Sequence, residues 1–121
     1  MKTKHIFLGA ILLFLAVYNG FSQSTETGMA SFYNDKFEGR ATASGEVFSQ
    51  SKLTAAHKTL PFKTKIKVTN LANKRSVIVT INDRGPFVEG RILDLSKKAA
   101  IKLDFVDNGV AKVKLEVIGG K

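Results

Sequence analysis

Asp83, Glu46 and His57 are the side chains of this sequence whose types and surroundings suit them to chemistry. Two carboxyls and an imidazole are a set suited to acid–base work on a glycosidic bond. One carboxyl hands a proton to the leaving oxygen, and the others manage the charge that develops. The proton donor must be uncharged near neutral pH, and burial against apolar walls favours that form. Leu60, Phe62 and Phe87 are apolar residues close enough in sequence to supply such walls. Each polar residue also has a plainer explanation. Asp83 lies in the run NDRGP, where an Asx turn has a use for it, and Glu46 follows a Ser44–Gly45 turn and suits an exposed position. His57 sits among Ala55, Ala56 and Leu60, the setting of a half-buried structural histidine. Arg40, Arg84 and Arg91 fit surface ion pairs, each worth about 0 to 1 kcal/mol. Spacing alone does not bring the three groups together, so the intervening elements must.

Those elements are short and alternating. VIVTI (77–81) has the two-residue period of a β-strand and ends abruptly in NDRGP. TKIKVTN (64–70) precedes it, with Ile66 and Val68 alternating with Lys65, Lys67 and Thr69; the connection LANKRS makes the two a hairpin. GMASFYN (28–34) and GRILDL (90–95) read as further strands. VAKVKLEVI (110–118) closes the chain, with Val113, Leu115 and Val117 on one face and Lys112, Lys114 and Glu116 on the other. SKKAAIKL (96–103) is the single helix candidate, with Ser96 as N-cap, and DNG (107–109) marks a turn. About six strands and one helix predict an all-β domain, a small closed barrel in which closure removes exposed edges; an open sandwich is the alternative.

The chain has 121 residues, enough for one domain. Lys2 and Lys4, an apolar run from Ile6 to Tyr18 and the small residues Gly20 and Ser22 have the layout of a secretory signal peptide over 1–22. The run is shorter than the roughly 20 residues that span a bilayer; a retained membrane anchor and an N-terminal core strand are the alternatives. A short segment, 23–27, then precedes the domain, 28–121. The absence of cysteine excludes disulfides, thiolate catalysis and cysteine zinc sites, and leaves no residue for a lipid anchor. With His57 the only histidine beyond the leader, metal sites built on several histidines are excluded, and neither metal nor cofactor is expected. The formal net charge of +9 favours polyanionic surroundings, or a solvated lysine coat; export argues against nucleic acid as the partner.

Three stretches, GMASFYNDKFEGRATASGEVF, LTAAHKTLPFKTKIKVTNLANKRSVIVTINDRGPF and GRILDLSKKAA, together resemble the rare lipoprotein A (RlpA) family of bacterial peptidoglycan lytic transglycosylases. The resemblance runs from about Gly28 to Ile118. It implies a six-stranded double-psi β-barrel, related to the expansins, with Glu46, His57 and Asp83 lining one groove. It implies cleavage of the β-1,4 bond between N-acetylmuramic acid and N-acetylglucosamine in strands stripped of stem peptides, leaving 1,6-anhydro ends. On that basis Asp83 is the expected acid and base, Glu46 stabilises developing charge, and His57 holds the geometry. Tyr33, Asn82 and Arg84 are candidate sugar contacts, with barrel packing and turn capping as their alternative roles; Asp94 is expected to fix the RILDLS turn. A freely exported monomer acting on peptidoglycan in the periplasm or cell envelope is expected. Two features depart from the family: no cysteine for lipidation, and no C-terminal glycan-binding module before Lys121. A non-catalytic, expansin-like wall-binding domain is the rival reading.

Overall fold

The computed structural model describes residues 24–120; the expected signal peptide lies outside the described residues. Six strands form a closed barrel: β1 (Thr25–Phe32), β2 (Thr54–Ala56), β3 (Thr64–Asn70), β4 (Ser76–Asp83), β5 (Arg91–Leu95) and β6 (Ala111–Gly120). Around the barrel they run β1, β5, β2, β4, β3, β6 and back to β1. β1 and β5 are parallel, as are β2 and β4; the other four pairings are antiparallel. The alternation expected of β3, β4 and β6 is realised. Ile66 and Val68, Val77, Val79 and Ile81, and Val113 and Leu115 point inward, while Lys65, Lys67 and Lys112 face solvent. The inward residues join Leu93 and Leu95 of β5 in one core, each stabilising the fold by about 1.5 to 3 kcal/mol on burial.

Helix α1 (Lys97–Lys102) packs Ala99 and Ala100 into that core together with Leu103 and Phe105. Ser96 is its N-cap, accepting from the Ala99 amide through its hydroxyl. At the other end, Asn70 and Asn73 of the β3–β4 hairpin both donate side-chain N–H groups to the Leu103 carbonyl, at 2.9 and 3.0 Å. The hairpin thus satisfies a carbonyl that the helix leaves without an internal donor. Its turn contains no glycine, and Lys74 takes the left-handed conformation itself, at φ 68°.

Two elements differ from expectation. β1 begins at Thr25, not Gly28, because Thr25 to Thr27 pair with Glu116 to Lys114 of β6 although their side chains are polar and exposed. β2 has three residues, all buried and two of them alanine, too few to display a period. Its place between β4 and β5 nonetheless aligns Ala56 with Asp83 on one side and Asp94 on the other.

Candidate active site

Asp83 ends β4 beside a cavity of about 560 Å³. Three donors hold its carboxyl. The Tyr33 hydroxyl donates to Oδ2 at 2.5 Å, and the amides of Ala43 and Arg84 donate to Oδ1 at 2.8 and 2.9 Å. Tyr33 directly follows β1, and its own amide donates to the Leu95 carbonyl, so β1 and β5 set the position of the phenol. Its ring stacks on Phe48, centroids 4.1 Å apart, and meets Phe37 edge-on at 5.9 Å. Burial, and then the Asp83 hydrogen bond, push the phenol well above its ordinary pKa, so it remains a donor throughout the physiological range.

The segment 40–48 folds over the end of β4. Ala41 bridges Val47, the Ser44 amide donates to the Asn82 carbonyl, and the Ala43 amide reaches Asp83. This brings Glu46 against Asn82, whose Nδ2 donates to Glu46 Oε1 at 3.2 Å. Glu46 opens onto an adjacent hollow of about 290 Å³, lined also by Phe62, Lys63 and Ile81. The two carboxyls therefore flank one backbone segment but face different hollows. Asn82 is 5% exposed and its Oδ1 has no partner among the described residues.

His57 is connected to Asp83 through its backbone. The His57 amide donates to the Asp83 carbonyl at 3.1 Å. Its side chain goes elsewhere: Ala56 is the residue aligned with Asp83, and the next residue along a strand points to the opposite face. The ring is 6% exposed and borders a third hollow of about 220 Å³. Nδ1 accepts from the amides of Thr59 and Leu60, which assigns the proton to Nε2, and Nε2 donates to Glu26 at 2.9 Å. The ring does not line the Asp83 cavity.

Arg84 does line that cavity, yet its Nη1 donates to the carbonyls of Leu60 and His57, at 2.8 and 3.2 Å. Its guanidinium also lies 4.2 Å from the Phe62 ring centroid. Arg84 thereby clamps the turn after β2 to the end of β4. Asp94 shares the cavity with Asp83; its Oδ1 accepts from Ser31 at 2.7 Å and Arg91 at 2.9 Å. Arg40 and Phe37 complete the wall on the Tyr33 side. Asp94, expected to fix a turn, and Arg40 and Arg91, expected in surface ion pairs, all line this cavity, and Arg91 does form its pair, with Asp94. Only the register Asp83–Ala56–Asp94 brings β4 and β5 chemistry together, and that register depends on the barely legible β2.

A family model described as "Lytic transglycolase" matches residues 25–115. Among curated relatives, the endolytic peptidoglycan transglycosylase RlpA of Campylobacter jejuni is 57% identical over 95 residues, 78% of this chain and 34% of that protein. The protein of the same name from Pasteurella multocida is 56% identical over 91 residues, 75% of this chain and 31% of its own. The chain thus spans about a third of the length of these relatives. Among solved structures, the Streptomyces papain inhibitor SPI aligns with a TM-score of 0.65 at 22% identity, covering 81% of this chain and 97% of its own. The apo expansin of Clavibacter michiganensis aligns with a TM-score of 0.61 at 20% identity, covering 79% of this chain and 51% of its own. Those two structures share the fold, whereas the family match spans nearly the whole described domain. By that match the chain belongs to the lytic transglycolase family, and its domain is a double-psi β-barrel.

Proposed function

We propose that this domain is a peptidoglycan lytic transglycosylase, a lyase that cleaves the β-1,4 bond between N-acetylmuramic acid and N-acetylglucosamine without consuming water. The observation that carries the reading is the Asp83 carboxyl beside an open cavity, with the Tyr33 hydroxyl donating to one oxygen. It is supported by identity above 50% to relatives named for that activity.

Protonated Asp83 donates to the glycosidic oxygen as the C1–O bond breaks. The carboxylate so formed accepts the proton of the muramic C6 hydroxyl as that oxygen bonds to C1, which closes the 1,6-anhydro ring. One proton enters and leaves the same group, so a single acid/base suffices, whereas a hydrolase divides the work between two carboxyls. The Tyr33 hydroxyl and the two backbone amides stabilise the transient carboxylate. Glu46, held by Asn82 at the neighbouring hollow, offsets positive charge on a glycan strand that runs from the Asp83 cavity past the 40–48 segment. His57 acts as a positioning residue: its ring orders the 57–60 turn, whose carbonyls receive Arg84. The substrate puts the site of action in the cell envelope, and the leader-like 1–22 segment fits export there. N-terminal sequencing of exported protein tests cleavage after Ser22.

The rival is a non-catalytic wall-binding domain, favoured by the fold shared with an expansin and by the three hydrogen bonds already held by Asp83. Mass spectrometry of naked glycan strands after digestion separates the two. Lysis gives 1,6-anhydro-muramyl ends, hydrolysis gives ends heavier by one water, and a binding domain gives intact strands.

A further inference from the structure

Three arginines line the Asp83 cavity, and they differ in what they hold. Arg91 is paired with Asp94. Arg84 is engaged by two backbone carbonyls and the Phe62 face. Arg40 is exposed and has no carboxylate or carbonyl partner among the described residues; its guanidinium carbon lies 5.4 Å from the Phe37 ring centroid. A guanidinium against an aromatic face keeps its in-plane N–H edge available, the geometry that takes a carboxylate by two parallel hydrogen bonds.

Arg40 is also held in fixed relation to the reacting group. Asp83 accepts from the Tyr33 hydroxyl, Tyr33 meets Phe37 edge-on, and Arg40 covers Phe37. On the backbone, the Arg40 amide donates to the Phe37 carbonyl, and Ala43, three residues on, donates to Asp83. An unpartnered cation that lines the cavity one ring removed from the acid suits an anion on the substrate. In a strand of alternating N-acetylglucosamine and N-acetylmuramic acid, the only anion is the lactyl carboxylate of muramic acid. Attachment of a stem peptide turns that carboxylate into a neutral amide.

We infer that Arg40 binds the free lactyl carboxylate of the muramic residue being cleaved, and is the side chain that tells it from the amide of a peptide-bearing residue. The inference rests on the lytic reading of the site. Its test uses two soluble substrates, denuded strands and the same strands with their lactyl carboxyls converted to methylamides. The wild-type KM is expected to be about three- to tenfold lower for the free acid, the range of a bidentate charge pair at an exposed guanidinium. Arg40→Gln should remove that difference by raising KM for the free acid alone, and Arg40→Lys should restore part of it. Lys36→Gln is the control, because Lys36 lies over the same Phe37 ring at 5.4 Å but does not line the cavity; it should keep the wild-type ratio. An Arg40→Gln variant that retains the preference, or that raises both KM values equally, overturns the inference. Absence of anhydro product from both substrates with wild type rejects the lytic reading instead. In that event calorimetric binding of the two strands to wild type and Arg40→Gln still decides whether Arg40 reads the carboxylate.

Discussion

Asp83 takes its hydrogen bonds from three parts of the chain: the end of β1, the 40–48 segment and its own successor. Its position at a strand end was legible, because VIVTI stops at a run of turn-forming residues. Its partners were not, since Tyr33 is 50 residues away and no local pattern links them. The same holds for His57, whose ring answers to Glu26 on β1, not to an acid near it in sequence. Tyr33→Phe keeps the ring packing and removes one hydrogen bond to Asp83, and is expected to lower kcat by about tenfold. The phenol pKa is raised in the folded state, so its contribution to stability is complete below the unfolded value of about 10 and is lost as pH rises beyond it. Urea midpoints at pH 8 and pH 11 should therefore fall less with pH for Tyr33→Phe than for wild type. An equal fall in both proteins contradicts this assignment.

At the scale of elements, legibility followed length and pattern. β3, β4, β6 and the Ser96-capped helix each carry enough residues to display a period or a cap. β2 does not, and the start of β1 is polar because its strand character comes from hydrogen bonds to β6 and not from burial. The hairpin–helix tie makes a separate prediction. Asn70 is 3% exposed, donates to the Leu103 carbonyl and accepts from the Ala72 amide. Asn70→Ala leaves the Ala72 amide without its acceptor and the Leu103 carbonyl with Asn73 alone, and should destabilise the domain by about 1 to 3 kcal/mol. Ser96→Ala removes the cap and a longer contact, at 3.5 Å, from the Thr54 amide, and should reduce stability by about 1 kcal/mol. Thermal unfolding of the two variants checks the order, and a milder effect at Asn70 than at Ser96 would contradict the account.

For the whole molecule, closure was foreseeable from the need to hide strand edges, but the strand order was not. The parallel pairs β1–β5 and β2–β4 join segments far apart in sequence, and no turn signal specifies them. Those pairings bring Asp83, Tyr33 and Asp94 to one cavity, so barrel and site should be lost together. Ile81 is fully buried two residues before Asp83. Ile81→Ala should destabilise the domain by about 2 to 5 kcal/mol, with fluorescence of a sugar-binding probe and far-UV circular dichroism falling in one shared transition. The net positive charge, +9 over the full sequence, should also make binding to peptide-free strands weaken steadily with added salt, as titration calorimetry can follow.

The central claim is that the Asp83 carboxyl carries the proton in a cleavage that uses no water. Its most direct test is digestion of naked glycan by wild type and by Asp83→Asn, with both proteins shown by circular dichroism to be folded and the products weighed by mass spectrometry. Wild type is expected to give 1,6-anhydro-muramyl ends and Asp83→Asn none. Anhydro product from a folded Asp83→Asn variant at the wild-type rate would contradict that claim.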